Sequence, residues 1–358
     1  MTGQPARRAA GRCALIMLLV LLPVSLVVAV TFGTMPLPVG DVYRVISGQL
    51  AHTLLGTPVP EAWAEGSPLH DVVWLIRLPR LVLGAAVGAS LAVSGTVMQA
   101  VVRNPLADPY VLGISSGASM GATLAVLFGA GTVLGARSVG AAAFLGALAV
   151  SFAGIALANL GGRATTVKLL LAGSALSAVC GALSNFAIYL CGDDHAPAQI
   201  VRWTMGGLGA ANWRDTAILA AAAAAGSLFF AGQRRTLNLM LLGDEGALTL
   251  GMDLTRRRIL YLVVTSLLIG LSVYNAGTIG FVGLVVPHAV RLLLGADHRY
   301  LVPVSALAGA VFLIWADVAC RMLLPGNEIP IGILTSLLGA PVFLWLMIRR
   351  RYGFGGEG

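Results

Sequence analysis

Ten apolar stretches, each approaching the roughly 20 residues that carry a helix across a bilayer, constrain this chain more than any other feature. They run over 13–33, 81–102, 111–130, 138–160, 168–191, 216–232, 259–277, 281–294, 301–320 and 330–348. Several are short, 281–294 above all. Short or Gly/Pro-broken spans are tolerated where neighbouring protein satisfies the backbone. Only 11% of the 358 residues are charged, against about 25% in a soluble domain, so the chain could not cover a water-facing surface. The 45 glycines fit the same reading, because small residues let membrane helices approach closely. The fold expected is all-α: a polytopic membrane protein of about ten transmembrane helices, forming one transmembrane domain over 1–358.

Basic residues set the orientation. With the N-terminus inside, sixteen of the 23 lysines and arginines fall on inner segments, among them Arg7, Arg8, Arg12, Arg103, Arg163, Lys168, Arg234, Arg235, Arg256, Arg257, Arg258, Arg299 and Arg349 to Arg351. Arg44, Arg77, Arg80, Arg137, Arg202, Arg214 and Arg321 fall outside. That bias places both termini in the cytoplasm. The net charge of +8 is therefore a topology signal rather than a nucleic-acid footprint. Arg7, Arg8 and Arg12 could open a signal peptide, but the apolar run after them is long and no A-x-A site follows, so it reads as a retained first span. Three hydrophilic stretches remain: 34–76 and 192–215 outside, the latter with interfacial Trp203 and Trp213, and 233–258 inside.

Catalytic chemistry is poorly supported. A P-loop needs G-x-x-x-x-G-K-[ST], yet the single lysine stands in Val167-Lys168-Leu169. ATP, if it drives this protein, is hydrolysed by another subunit. Cys13, Cys180, Cys191 and Cys320 lack metal or redox spacing and read as small apolar helix residues. Gly113-Ile114-Ser115-Ser116-Gly117 matches G-x-S-x-G, but a nucleophile elbow requires a strand–turn–helix context and triad partners. Here the motif opens a span after Pro105 and Pro109, where a helix cap and close packing are the better reading. Gly84 with Gly88, and Gly117 with Gly121, have helix-contact spacing. Only Asp317 places a charge within a span, and Arg321 follows at the i,i+4 spacing of a structural ion pair. So few intramembrane charges disfavour an ion-coupled secondary carrier. Inside, Gly243 and Gly251 bracket a short amphipathic helix with Asp244 and Glu245 at its positive end, suited to a partner's groove or simply solvated.

Several stretches together resemble the FecCD-type permeases of ATP-binding cassette importers, over nearly the whole chain. They are Ile76-Arg77-Leu78-Pro79-Arg80, Gly95-Thr96-Val97-Met98-Gln99, Arg103-Asn104-Pro105-Leu106-Ala107-Asp108-Pro109, the Leu242–Gly251 segment, Gly280-Phe281-Val282-Gly283, Val286-Pro287-His288, Asp297-His298-Arg299 and Glu328-Ile329-Pro330-Ile331-Gly332. The resemblance implies a non-enzymatic transport subunit of the inner (plasma) membrane for an iron chelate (ferric siderophore or heme), with cobalamin the alternative. It implies no cofactor on this chain, with ATP and Mg used by two cytoplasmic ATPase subunits. It also implies an extracytoplasmic binding protein and a second permease copy, a homodimer or close heterodimer. Carried over residue by residue, Gly243, Asp244, Glu245, Leu248 and Gly251 belong to the ATPase-coupling helix. Arg77, Arg80 and Arg321 match outer residues that meet a binding protein's acids, and Thr165 and Thr166 match a cytoplasmic gate.

Overall fold

The computed structural model describes residues 3–129, 137–160, 165–191, 195–252, 254–324 and 326–349. These residues are all-α, with no strand among them. Every expected apolar stretch forms a helix. Seven are long and apolar enough to cross a membrane, and three more, Ile114–Leu127, Val282–Leu294 and Ile331–Trp345, are shorter apolar helices.

In chain order the elements are α1 (Gly3–Ala29), α2 (Val39–Leu55), α3 (Leu78–Val101), α4 (Ile114–Leu127), α5 (Arg137–Asn159), α6 (Thr166–Cys191), α7 (Ala196–Thr204), α8 (Trp213–Gly232), α9 (Arg234–Met240), α10 (Gly243–Thr249), α11 (Thr255–Ala276), α12 (Val282–Leu294), α13 (His298–Met322) and α14 (Ile331–Arg349). The centre is α3, which is apolar on all sides and touches α8, α11, α12 and α13. A helix without a polar face belongs in a core rather than at a surface.

Glycine makes that centre tight. A Cβ on Gly95 would stand 1.7 Å from the Gly283 carbonyl oxygen, and one on Gly88 would stand 2.1 Å from that of Gly309. The Gly84-to-Gly88 spacing therefore works through Gly88; Gly84 meets a leucine side chain at 3.2 Å instead. Gly117 and Gly121 perform the same service against Gly146 and Ala142 of α5.

Helix α3 starts earlier than the apolar pattern indicates. A turn at Pro68–His70 runs into a π-helical turn, Asp71–Arg77, that leads directly into α3. Pro79 lacks an N–H and would clash with the carbonyl one turn back; a widened turn ahead of it relieves that conflict. The outer stretch 34–76 is correspondingly less of a loop than its composition suggests. Val42 and Val45 of α2 pack with Ala29, Val30, Val73, Leu81, Ile314 and Val318.

Two short helices begin at depth. At 1.5 Å per residue, the 13 residues of α12 rise only about 20 Å. The non-helical segments before α4 and α12 are largely buried or half-buried, and part of their backbone is satisfied locally, as backbone inside a membrane requires. Asn104 Oδ1 accepts from Leu106 N at 2.9 Å, and Asp108 Oδ1 accepts from Tyr110 N at 2.8 Å. Gly207 N donates to Ala276 O at 2.9 Å. Phe281, at the N-cap of α12, adopts a left-handed φ of 67° and sits against Gly339 of α14, where a Cβ would be 2.4 Å from its own.

Candidate functional site

The outer end of the bundle holds four charged side chains in one network. Arg80 Nε donates to Asp317 Oδ1 at 3.0 Å, and Arg80 Nη1 donates to Glu328 Oε2 at 2.9 Å. Arg321 Nε donates to Asp317 Oδ2 at 3.0 Å, one turn along α13. The pair expected from the i,i+4 spacing is thus present as half of a larger cluster. Two cations face two anions, and Asp317, only 1% exposed, is held from both sides. Charges this buried persist only when paired.

Arg321, together with Arg77, also holds the end of α1. Arg77 Nη1 donates to the carbonyls of Val30 at 3.0 Å and Thr31 at 3.2 Å, its Nη2 reaches the Met35 carbonyl, and Arg321 Nη1 donates to Phe32 O at 2.9 Å. These carbonyls lie at and just beyond the C-terminal end of α1, where orphan acceptors and the negative end of the dipole favour a cation. Direct presentation of all three arginines to an outside partner needs correcting on this ground. Arg77, Arg80 and Arg321 are 4%, 8% and 6% exposed, pointing into the protein. Glu328, 43% exposed at its side chain, covers the outer edge of Arg80. The sequence marked Arg80 and Asp317 but not their meeting, because 237 residues separate them. Glu328 was visible only as part of a motif.

Exposed positive charge on the outer side lies elsewhere. A pocket of about 510 Å³ is lined by Arg137, Arg202, Trp203, Asn212, Asp215 and Asn275, among others. Arg137 Nε stands 3.3 Å from Asp215 Oδ2, and Asn212 caps α8 by accepting from Asp215 N at 3.0 Å. Trp203 and Trp213 are half-buried rather than free at an interface. The Trp213 indole donates to Trp74 O at 2.7 Å, and the two rings lie 5.4 Å apart.

A second cavity, of about 480 Å³, brings together Tyr110, Ser115, Thr204, Met205, Thr278 and Ser336. Its walls come from the start of α4 and the turn before it, the end of α7, the loop before α12, and α14. It carries hydroxyls and a thioether but no charge. Ser115 has neither a histidine nor a carboxylate beside it in this lining, so the cavity does not assemble a hydrolase triad.

On the inner side, α10 runs between two left-handed glycines, Gly243 at φ 87° and Gly251 at φ 77°. Non-glycine residues rarely adopt that conformation, so the brackets read from the sequence are structural stops. Ala247 is buried, whereas Leu242, Leu248 and Leu250 are exposed. Arg103, at the inner end of α3, reaches Gly243: a Cβ there would stand 2.6 Å from Nη1. At the start of α6, Thr165 Oγ1 accepts from Lys168 N at 3.3 Å, and Lys168 Nζ reaches Leu160 O at 3.4 Å. The side chains of Asp244, Glu245 and Thr166 lie outside the described residues.

The FecCD transport family model matches residues 19–349. The chain belongs to the FecCD transport family. This FecCD chain is 43% identical over 308 residues to the cobalamin import system permease protein BtuC of Halobacterium salinarum, covering 86% of this chain and 82% of that one. It is 44% identical over 282 residues to the hemin transport system permease protein HmuU of Yersinia pestis, covering 78% and 84%. Among solved structures it resembles an inward-facing metal-chelate type ABC transporter, with a TM-score of 0.76 and 29% identity over 95% of this chain and 100% of that one. As a FecCD member it is an inner-membrane permease of an ABC importer for chelated substrates, working with ATPase subunits and binding proteins.

Some motif residues that look functional hold the scaffold. Gln99 Oε1 accepts from Arg291 Nη2 at 3.1 Å, and the His288 ring nitrogen lies 3.3 Å from Pro105 O. Both contacts pin α12 to α3 and to the loop that follows it.

Proposed function

We propose that this chain imports an iron chelate, a ferric siderophore or heme, as the non-enzymatic permease half of an ATP-driven complex. The observation that carries the coupling is α10: a short helix stopped by glycine at both ends, offering Leu242, Leu248 and Leu250 to the cytoplasmic side. Exposed leucines on a rigid helix suit a groove on a partner, and two ATPase subunits would supply it. The Arg103 contact would pass their motion into α3.

A second permease copy fits the apolar faces of α6 and α14, where Leu171, Leu183, Phe186, Leu337, Leu344 and Trp345 are exposed. The uncharged cavity around Ser115, Thr278 and Ser336 then faces the seam between copies. Its neutral hydroxyls suit a bulky chelate held weakly and released. Thr165 and Thr166 would form the cytoplasmic gate at the start of α6. A binding protein would dock outside, its acids reaching Arg80 only after displacing Glu328. Cobalamin is the second reading, favoured by the likeness to permeases that bear that name. No cofactor is assigned to this chain; ATP and Mg belong to the ATPase.

The test is uptake of labelled ferric siderophore, heme or cobalamin into vesicles containing permease, ATPase and binding protein, alongside ATP hydrolysis. ATP-dependent uptake of an iron chelate is expected. Uptake of cobalamin alone would replace the substrate, and uptake that survives ATP depletion but fails without a proton gradient would overturn the mechanism.

A further inference from the structure

A groove of about 460 Å³ opens between α1, α3, α8 and α13. Its floor is largely alanine: Ala86, Ala223 and Ala306 are buried, and Ala224 is exposed at its edge. Leu15, Leu19 and Leu22 form one wall. The hydroxyl of Ser227 is already spent on Ala223 O at 2.7 Å, leaving a dry slot. Along α8 the slot extends from Ala220 to Ala231, a rise of about 16 Å.

At the inner end the chemistry reverses. On α1, Arg8 and Arg12 continue the same i,i+4,i+7 stripe as Leu15, Leu19 and Leu22, so they share that face of the helix. On α13, Arg299 lies one turn before Pro303, and its guanidinium sits 5.5 Å above the Tyr300 ring. Beyond α8, Arg234 and Arg235 follow Ala231 by three and four residues. Arg8, Arg12, Arg234, Arg235 and Arg299 are all exposed. These termini converge, since Arg7 approaches Gly295 and the Asn238 amide donates to Asp297 Oδ1 at 2.9 Å. Asp297 is the acid on this rim, already held by Asn238 and by the Arg299 N–H. Beside the groove, in the apolar cluster that includes Leu15 and Leu307, the buried Tyr300 hydroxyl has no hydrogen-bond partner among the described residues.

We propose that this groove binds one anionic phospholipid of the inner leaflet, an acyl chain in the alanine slot and its phosphate among the arginines. Scattered positive charge at an inner boundary needs no ligand, because it sets topology. Here the charge recurs one turn beyond the groove on three of its four walls. A basic rim over an apolar slot at the cytoplasmic side is complementary to an anionic headgroup and its chain. The inference is independent of which chelate is carried.

Native mass spectrometry of the full-length permease, released from vesicles of phosphatidylglycerol and phosphatidylcholine with matched chains, tests it. One retained phosphatidylglycerol per chain is expected, favoured at least tenfold over phosphatidylcholine. Ala224→Phe, at an exposed position that fills the slot without invading the core, should abolish retention; Ala220→Phe provides a second filling variant should the first misfold. Arg12→Gln with Arg235→Gln should keep a lipid but erase the headgroup preference. Equal retention of the two lipids by the unmodified protein, or undiminished phosphatidylglycerol in both filled variants, would overturn the proposal.

Discussion

Arg80 holds two carboxylates at once, Asp317 through Nε and Glu328 through Nη1. Removing it leaves Asp317 buried with Arg321 as its remaining ionic partner. Breaking a buried pair in this way costs about 3 kcal/mol. Arg80→Ala should therefore lower the melting temperature of the detergent-solubilised protein by several degrees. Glu328→Gln, at the half-exposed end, should cost less than about 1 kcal/mol; equal losses in the two variants would mean that the network is not organised around Asp317. Asp297 tests the opposite face. Burial works against its charge, but the Asn238 amide and the Arg299 N–H, with His298 and Arg299 nearby, hold its carboxyl below the usual range. A lowered folded value means stability present above the unfolded value of about 3.9 and lost as pH falls through the folded one. Asp297→Ala should destabilise by about 0.5–1 kcal/mol at pH 7, the group being largely exposed and screened. The gap should narrow as pH falls through the lowered folded value, as melting curves at neutral and acidic pH would show. At this scale the sequence disclosed neighbours in the chain, Asp317 with Arg321, through helical spacing. It could not disclose that Arg77 and Arg321 close the end of α1, because no local pattern encodes a contact between residues 46 or 289 positions apart.

Helix α10 is the element whose role depends most on what it leaves uncovered. Leu248 is exposed although Ala247 beside it is buried, so the helix is seated on one side and open on the other. Leu248→Glu should leave the protein folded and assembled, yet reduce ATP-driven uptake at least tenfold by placing a charge where a partner's groove needs an apolar contact. Transport at the unmodified rate would remove α10 from the coupling route. The limits of α10 were legible from Gly243 and Gly251 because chain conformation at those points demands glycine. The start of α3 was not, since a π-helical turn carries no apolar period and Pro79 reads as a boundary. Nor was α2 visible within 34–76: its buried residues, Val42 and Val45, cover the end of the bundle, and Asp41, Arg44, Gln49 and His52 break its apolar run.

At the scale of the whole molecule, ten apolar runs and an uneven division of arginine sufficed for the class of fold, because a membrane leaves the backbone few choices. Which helices touch was set by single glycines, legible as small residues but not as particular pairings. Those pairings have a mechanical result. Where Gly95 meets the carbonyl of Gly283, and Gly88 that of Gly309, main chain lies on main chain. Neither helix can slide without one peptide group climbing over another, so α3, α12 and α13 act as a keyed shaft that turns only as a unit. Ser151 and Ser266 join α5 to α11 through their hydroxyls, and α11 touches α3. A disulfide from Ser151→Cys with Ser266→Cys should accordingly leave uptake intact, whereas a loss reversed by reductant would place the moving joint between α5 and α11. If two copies meet as proposed, a keyed shaft would leave opening to either side of the membrane to the rocking of entire subunits, against one another, across the apolar faces of α6 and α14.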